Sequence, residues 1–302
     1  MKPAMVTLAV LVCVLAACTG KSDTSTTTNS AGSSASTAVP TVAPADSSSP
    51  LAVASPGAVA SGGASPAAAA SVPGTAAYTD LGGVFGSDKI LQLAQLGVFD
   101  ASGGTFNPYQ PILRREFARW MFRANNAIFK GKDTLQIRPV TPADESTFSD
   151  LAKTDPDFPY VQALANAGVS VGFPNKTFRP DQPLTREQMV TMKVTLDDGG
   201  PVVDDPKKDV PQAYYEMPAW KDKKQVAPEF AWAVEAAGDD SDSNSIHNVS
   251  RVYGAIAEFK PKKPVTRAEA AVELWIIRPH QKYSSSKTSA ADALSASPSA
   301  TP

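Results

Sequence analysis

Hydrophobic positions fall into three regimes along the chain. Ala4 to Ala17 form one apolar run, broken only by Thr7 and preceded by the single charge of Lys2. At 14 residues this run is too short to cross a bilayer as a helix and has the size of a signal-peptide apolar region. From Thr19 to Ala77 periodicity vanishes: the segment is almost entirely Ala, Ser, Thr, Gly, Pro and Val, with Lys21, Asp23 and Asp46 as its only charges. Such a segment cannot bury enough apolar surface to offset the entropy of ordering it, and a disordered linker is expected. Treated as a random coil, its 59 residues span roughly 40 to 45 Å. Helical periodicity begins after Tyr78 and fades near His280, and the Ser/Ala-rich stretch 281–302 is expected to be a disordered tail.

Within 78–280 the periodic stretches come in pairs. The first of each pair spans Asp88 to Leu96, Phe158 to Ala167 and Glu229 to Ala237, and each precedes a glycine, Gly97, Gly168 or Gly238, suited to a left-handed C-terminal cap. Ser87 is the expected N-cap of the first, and Pro159 and Pro228 sit where a first-turn proline is tolerated. The second of each pair follows Arg114, Arg186 or Arg267. Its apolar positions are Phe117, Met121 and Phe122, then Met189, Met192 and Leu196, then Ala270, Leu274 and Ile277. Thr266 with Glu269 forms a capping box, Thr185 with Gln188 a weaker one, and Leu113 offers no hydroxyl.

Self-similarity ties the pairs together. Phe106-Asn107-Pro108 recurs as Phe178-Arg179-Pro180 and Phe259-Lys260-Pro261. A second proline follows at Pro111, Pro183 and Pro264, and an arginine stands eight residues after each phenylalanine. Upstream, an aromatic residue lies two before Asp80, Asp150 and Asp222. Each unit reads as helix, extended loop, helix, too small for a core of its own, so the three are expected to share one.

Composition narrows the chemistry. All 23 aromatic residues lie at or after Tyr78, so the fold is confined to the repeats. Residues 78–280 carry 24 Lys plus Arg against 27 Asp plus Glu, without the basic excess that phosphate neutralisation needs, and nucleic acid is disfavoured as a partner. The two cysteines are Cys13, inside the apolar run, and Cys18, so no disulfide or cysteine-zinc site is expected in the mature chain. The two histidines, His247 and His280, give neither a metal-ligand pair at helical spacing nor a Ser-His-Asp set. The run Asp240, Asp242, Asn244 imitates the start of an EF-hand, but Ser245 replaces the turn glycine and Arg251 the bidentate glutamate, so a solvated acidic loop is the better reading. No cofactor, metal or catalytic set is expected.

Two resemblances follow. Leu15-Ala16-Ala17-Cys18 resembles the bacterial lipobox, which implies removal of residues 1–17 and lipidation of Cys18, with 18–77 as a tether. The motifs Ile112-Leu113-Arg114-Arg115-Glu116, Leu184-Thr185-Arg186-Glu187-Gln188 and Val265-Thr266-Arg267-Ala268-Glu269 resemble the Ile-Thr-Arg-Ala-Glu signature of S-layer homology domains, and Gly172-Phe173-Pro174-Asn175-Lys176-Thr177-Phe178 resembles the family's loop. The resemblance implies a mainly α fold of three tandem repeats, 78–129, 148–197 and 220–280, packed as a pseudo-threefold bundle. It implies grooves between repeats that bind peptidoglycan-linked cell-wall polysaccharide, often bearing pyruvate ketals, without chemical change.

In that reading Arg114, Arg186 and Arg267 offer planar forks for ligand carboxylates, and Asp80, Asp150 and Asp222 accept sugar hydroxyls. The alternative for these charges is structural, each arginine bridging an aspartate or a helix-capping glutamate. At the level of the whole chain, the expectation is a non-catalytic envelope lipoprotein joining a membrane to the wall. The membrane would be the outer membrane facing the periplasm, or the cell surface in a single-membrane bacterium. A protein-interaction or assembly factor whose repeats no longer bind carbohydrate is the alternative. The connections 126–147 and 197–219 are long enough to cover or reshape the grooves.

Overall fold

The computed structural model describes residues 78–100, 104–170, 172–200, 210–238, 246–279 and 286–296. All belong to one compact unit within residues 65–302. The apolar run, Cys18, the linker, His280 and the acidic run 239–245 lie outside the described residues. The fold is mainly helical. Segment one contributes α1 (Ser87–Gln95) and α2 (Arg114–Ile128), and segment two α3 (Phe158–Asn166) and α4 (Arg186–Asp198). A connecting α5 (Val210–Glu216) follows, then α6 (Ala231–Gly238), α7 (Asn248–Tyr253) and α8 (Arg267–Leu274) of segment three. Strand β1 (Ile276–Ile277) pairs antiparallel with β2 (Thr288–Ser289), which leads into α9 (Ala290–Ala296).

The paired helices stand where periodicity placed them, with informative differences at their ends. Gly97 and Gly168 take left-handed φ of 74° and 72° just past α1 and α3. Gly238 instead closes α6 as a helical residue. A Cβ there would meet Trp220 at 2.7 Å and Pro218 at 2.9 Å, so this glycine serves close packing. The N-cap of α1 is Gly86, with Ser87 the first helical residue. The Thr266–Glu269 box is complete: Glu269 N–H donates to Thr266 Oγ1 at 3.2 Å and Thr266 N–H to Glu269 Oε2 at 2.8 Å. In segment two only the Gln188 half forms a hydrogen bond, at 3.3 Å. Ile277, expected on the second helix of segment three, lies in β1.

The three signature segments close on one another. Ile112 N–H donates to Val265 O at 2.9 Å, Val265 N–H to Leu184 O at 2.8 Å, and Leu184 N–H to Ile112 O at 2.9 Å. All three side chains are completely buried. The first N–H of each following helix continues the pattern. Arg114 donates to Gln182 O, Arg186 to Lys263 O and Arg267 to Gln110 O, at 2.9 to 3.1 Å. The second N–H of each also crosses, from Arg115 to Pro180 O, Glu187 to Pro261 O and Ala268 to Pro108 O. A helix N-terminus leaves four N–H groups without intrahelical partners. Here two of the four are satisfied by the loop of the next segment, so α2, α4 and α8 each depend on a neighbour.

Residues 286–296, expected in a disordered tail, return to the core. Ala290 N–H donates to Trp275 O at 2.8 Å, Ala290 is completely buried, and α9 packs on α1 and α2. Its start is capped by a Ser289–Asp292 box, with Asp292 N–H donating to Ser289 Oγ at 3.1 Å and Ser289 N–H to Asp292 Oδ2 at 2.9 Å. Composition hid this element because small residues contribute little hydrophobicity yet allow close approach.

The first long connection folds on its own helix, where Asn125 Nδ2 donates to Leu135 O and Asn126 Nδ2 to Ile137 O. Where α4, α7 and α8 meet, Lys193, Asp197 and Glu273 are buried together, joined by Arg251 to Glu273 at 3.0 Å and by Arg278 N–H to Asp197 at 3.0 Å. Burial pushes the Lys193 ammonium down and the Glu273 carboxyl up.

Candidate functional site: the groove between segments two and three

Each opening aspartate organises its own Phe-x-Pro loop. Asp80 accepts from Phe106 N–H at 2.8 Å and Asn107 N–H at 2.7 Å. Asp150 accepts from Phe178 and Arg179, both at 2.7 Å, and Asp222 from Phe259 at 2.9 Å and Lys260 at 2.7 Å. The middle residue of each motif, Asn107, Arg179 or Lys260, takes a φ of 56° to 58°, a conformation rare outside glycine and asparagine. Two charge-assisted acceptors hold each loop in that turn. Burial raises the Asp80 carboxyl, but the Phe106 and Asn107 amides, with Arg267 nearby, outweigh it and hold the group below its usual range.

The arginines grip the same phenylalanines from the other side, each in the next segment. Arg114 Nε donates to Phe178 O at 2.8 Å and Nη1 to Gln188 Oε1 at 3.2 Å. Arg186 donates to Phe259 O and to Glu269 Oε1, both at 3.0 Å. Arg267 Nε donates to Phe106 O at 2.7 Å, and its Nη1 pairs with Glu116. Every Phe-x-Pro phenylalanine is therefore held at N–H by the aspartate of its own segment and at C=O by the arginine of another. The six sequence-nominated residues fall in three such clasps, one aspartate and one arginine to each phenylalanine.

One of the six also lines an opening. Arg114, 4% exposed, forms the floor of a cavity of about 320 Å³ between segments two and three. Its guanidinium lies 4.8 Å from the ring centres of both Phe173 and Phe178. Phe173 and Met192 of segment two face Phe230 and Ala233 of segment three, with Glu229 at the rim. Arg179 stacks on Phe173 at 3.7 Å and helps fix that ring. Burial, reinforced by Arg179 and opposed by Asp150, pushes the Arg114 guanidinium down to about 10, so it stays cationic at neutral pH. Aromatic walls, a buried cation and a rim carboxylate can receive a ligand with an apolar face and polar edges. Among the described residues, no group of three His, Cys, Asp or Glu side chains is placed to hold a metal ion.

At the other two junctions, side chains pair across the segments. Between segments one and two, Arg119 pairs with Asp157 at 2.5 Å and Asp100 at 3.0 Å, while Arg123 reaches Asp100 at 2.7 Å and Tyr160 at 3.0 Å. Between segments three and one, Trp275 Nε1 donates to Gln92 at 2.5 Å and Lys89 lies 5.1 Å from the indole. Phe173 was visible in the sequence only as the aromatic of the Gly172-Phe173 loop. Phe230, Glu229 and Met192 gave no signal, because their convergence depends on how α4 and α6 pack.

The family model of the S-layer homology domain matches residues 147–190 and 257–271, which contain the clasped loops of segments two and three. Over those residues the chain carries S-layer homology sequence, and domains of that family are binding modules of the cell wall and envelope. No curated protein matches the chain. Among the described residues no helix is long and apolar enough to cross a membrane.

Proposed function

We propose that this is a non-catalytic envelope lipoprotein, anchored through Cys18, that binds peptidoglycan-linked wall polysaccharide in the groove between segments two and three and so links a membrane to the wall. Residues 18–77 act as its tether, and the outer membrane, facing the periplasm, holds the lipid. One observation carries the reading: a cavity lined by Phe173 and Phe230 together with the buried Arg114. Aromatic rings stack on the apolar faces of sugars, the guanidinium takes an anionic substituent, and Glu229 accepts hydroxyls at the rim. Asp80, Asp150, Asp222, Arg186 and Arg267 serve this function indirectly, by building the pseudo-threefold ring that holds the cleft open. The closed circuit of Ile112, Leu184 and Val265 hydrogen bonds supports that packing.

The test is co-sedimentation of the full chain, made unlipidated by Cys18→Ser, with purified sacculi. Saturable pelleting that a soluble wall-glycan fragment competes away is expected. Failure to pellet favours the protein-interaction alternative, and glycan released into the supernatant indicates catalysis.

A further inference from the structure

Segment three carries a cationic face that its two sisters lack. Lys221 N–H donates to Ala257 O at 3.0 Å, and Asp222 binds the Phe259 and Lys260 amides. These bonds fasten residues 221–225 to residues 257–263. The two strips together hold six lysines, 221, 223, 224, 260, 262 and 263, against Asp222 and Glu258, a net charge of +4. The matching strips carry −1 in segment one (79–83 with 104–110) and +1 in segment two (149–153 with 176–182). Lys260, Lys262 and Lys263 line a depression of about 230 Å³ together with Gln225, Asp222 and Glu258, three cations against two carboxylates, and Asp222 is committed to the Phe259 and Lys260 amides.

The sister segments serve as an internal control. Lys221 stands where they have Thr79 and Ser149, Lys260 where they have Asn107 and Arg179, and Lys263 where they have Gln110 and Gln182. The backbone bonds are the same in all three, so the fold does not require lysine at these positions. At Lys260, with φ 56°, asparagine is the easier residue. Lys262 pairs with Glu187 at 2.6 Å, Lys260 lies 3.9 Å from Glu258 and Lys223 reaches Met217 O at 3.2 Å, whereas Lys221, Lys224 and Lys263 form no ion pair among the described residues. Arginine supplies most of the fixed ion pairs of this domain. Lysine binds phosphate as a point charge, and an all-lysine face offers several such charges on flexible stems.

We propose that this face is a second binding site, separate from the groove, for an envelope polymer bearing repeated phosphate groups. The one large apolar side chain of the two strips, Phe259, is completely buried and cannot enter a bilayer, which disfavours a membrane surface. The net charge over residues 78–280 is −3, so the attraction for phosphate is local to this strip. The site goes beyond the sugar-binding groove and does not depend on it.

The experiment titrates the unlipidated full chain with poly(glycerol phosphate) by calorimetry, in low and moderate salt. Binding that weakens by roughly 50-fold between about 50 and 200 mM salt is expected, as for about four neutralised phosphates. The triple variant Lys221→Thr, Lys260→Asn, Lys263→Gln, built from sister-segment residues, is expected to lose at least tenfold in affinity with an unchanged melting temperature. A charge-matched control, Lys130→Gln, Lys132→Gln, Lys153→Gln, is expected to bind as wild type. The proposal is overturned if the polymer does not bind at low salt, or if the control loses as much as the triple variant. Pelleting with phosphatidylglycerol vesicles in the absence of polymer binding also overturns it. Sacculus binding through the groove is scored separately, so either reading can fail alone.

Discussion

Arg186 donates to Glu269 at 3.0 Å across 83 residues of sequence, while the same glutamate completes the capping box of α8 through Thr266. One carboxylate thus couples helix initiation in segment three to the arginine of segment two. Arg186→Ala leaves the Phe259 carbonyl without this donor, and a loss of about 3 to 5 kcal/mol is expected in urea denaturation. Glu269→Gln is expected to lose only about 1 kcal/mol, because Gln188 already fills the equivalent role toward Arg114 at 3.2 Å. Equal costs for the two variants would contradict the clasp.

The second helical position at each junction is matched to the loop it meets. Arg115 faces Asp181 at 2.9 Å, Glu187 faces Lys262 at 2.6 Å with the signs exchanged, and Ala268 N–H bonds to Pro108 O beside the neutral Tyr109. Glu187→Lys is expected to destabilise by about 2 kcal/mol, with Lys262→Glu restoring about half in the double variant. Glu187 also accepts from Ala227 N–H at 3.0 Å, which prevents full recovery. A double-mutant cycle measures the coupling, and additive effects would exclude it.

Gly172 turns the loop that presents Phe173. Its φ is 61°, and a Cβ would meet Phe148 Cε1 at 2.3 Å and the Thr177 carbonyl oxygen at 2.8 Å. Gly172→Ala is expected to cost about 2 to 3 kcal/mol. A thermal melt of the variant checks this, and an unchanged midpoint would contradict it.

Asp80 links stability to acid. Its folded-state carboxyl titrates below the unfolded value, so its contribution is complete above about pH 4 and is lost as pH falls through the lower folded value. Asp80→Asn is expected to be less stable than wild type at pH 7 and to converge with it near pH 2. Denaturation at both values checks the sign; a gap that widens in acid would contradict it.

The pairing of helices was legible because Phe-to-Arg spacing and apolar periodicity repeat locally. The arginines were legible as candidates but their carbonyl partners were not: these lie 64 to 161 residues away, on loops whose approach no local pattern encodes. The order of residues 286–296 was obscured by alanine and serine, although Ser289 and Asp292 carried a capping signal. The groove was the least legible feature. Phe230 and Glu229 face Phe173 only because α6 packs on α4.

Groove occupancy tests the account most directly. Phe173 is partly exposed and sits outside the ring of backbone bonds, so Phe173→Ala should leave the fold intact. Binding isotherms of the unlipidated full chain on sacculi, for wild type and Phe173→Ala, are the decisive measurement. The account predicts at least a tenfold weaker isotherm for the variant, about 1.4 kcal/mol or more, with an unchanged melting temperature. Equal isotherms would place the wall contact elsewhere on the molecule and contradict the proposed groove.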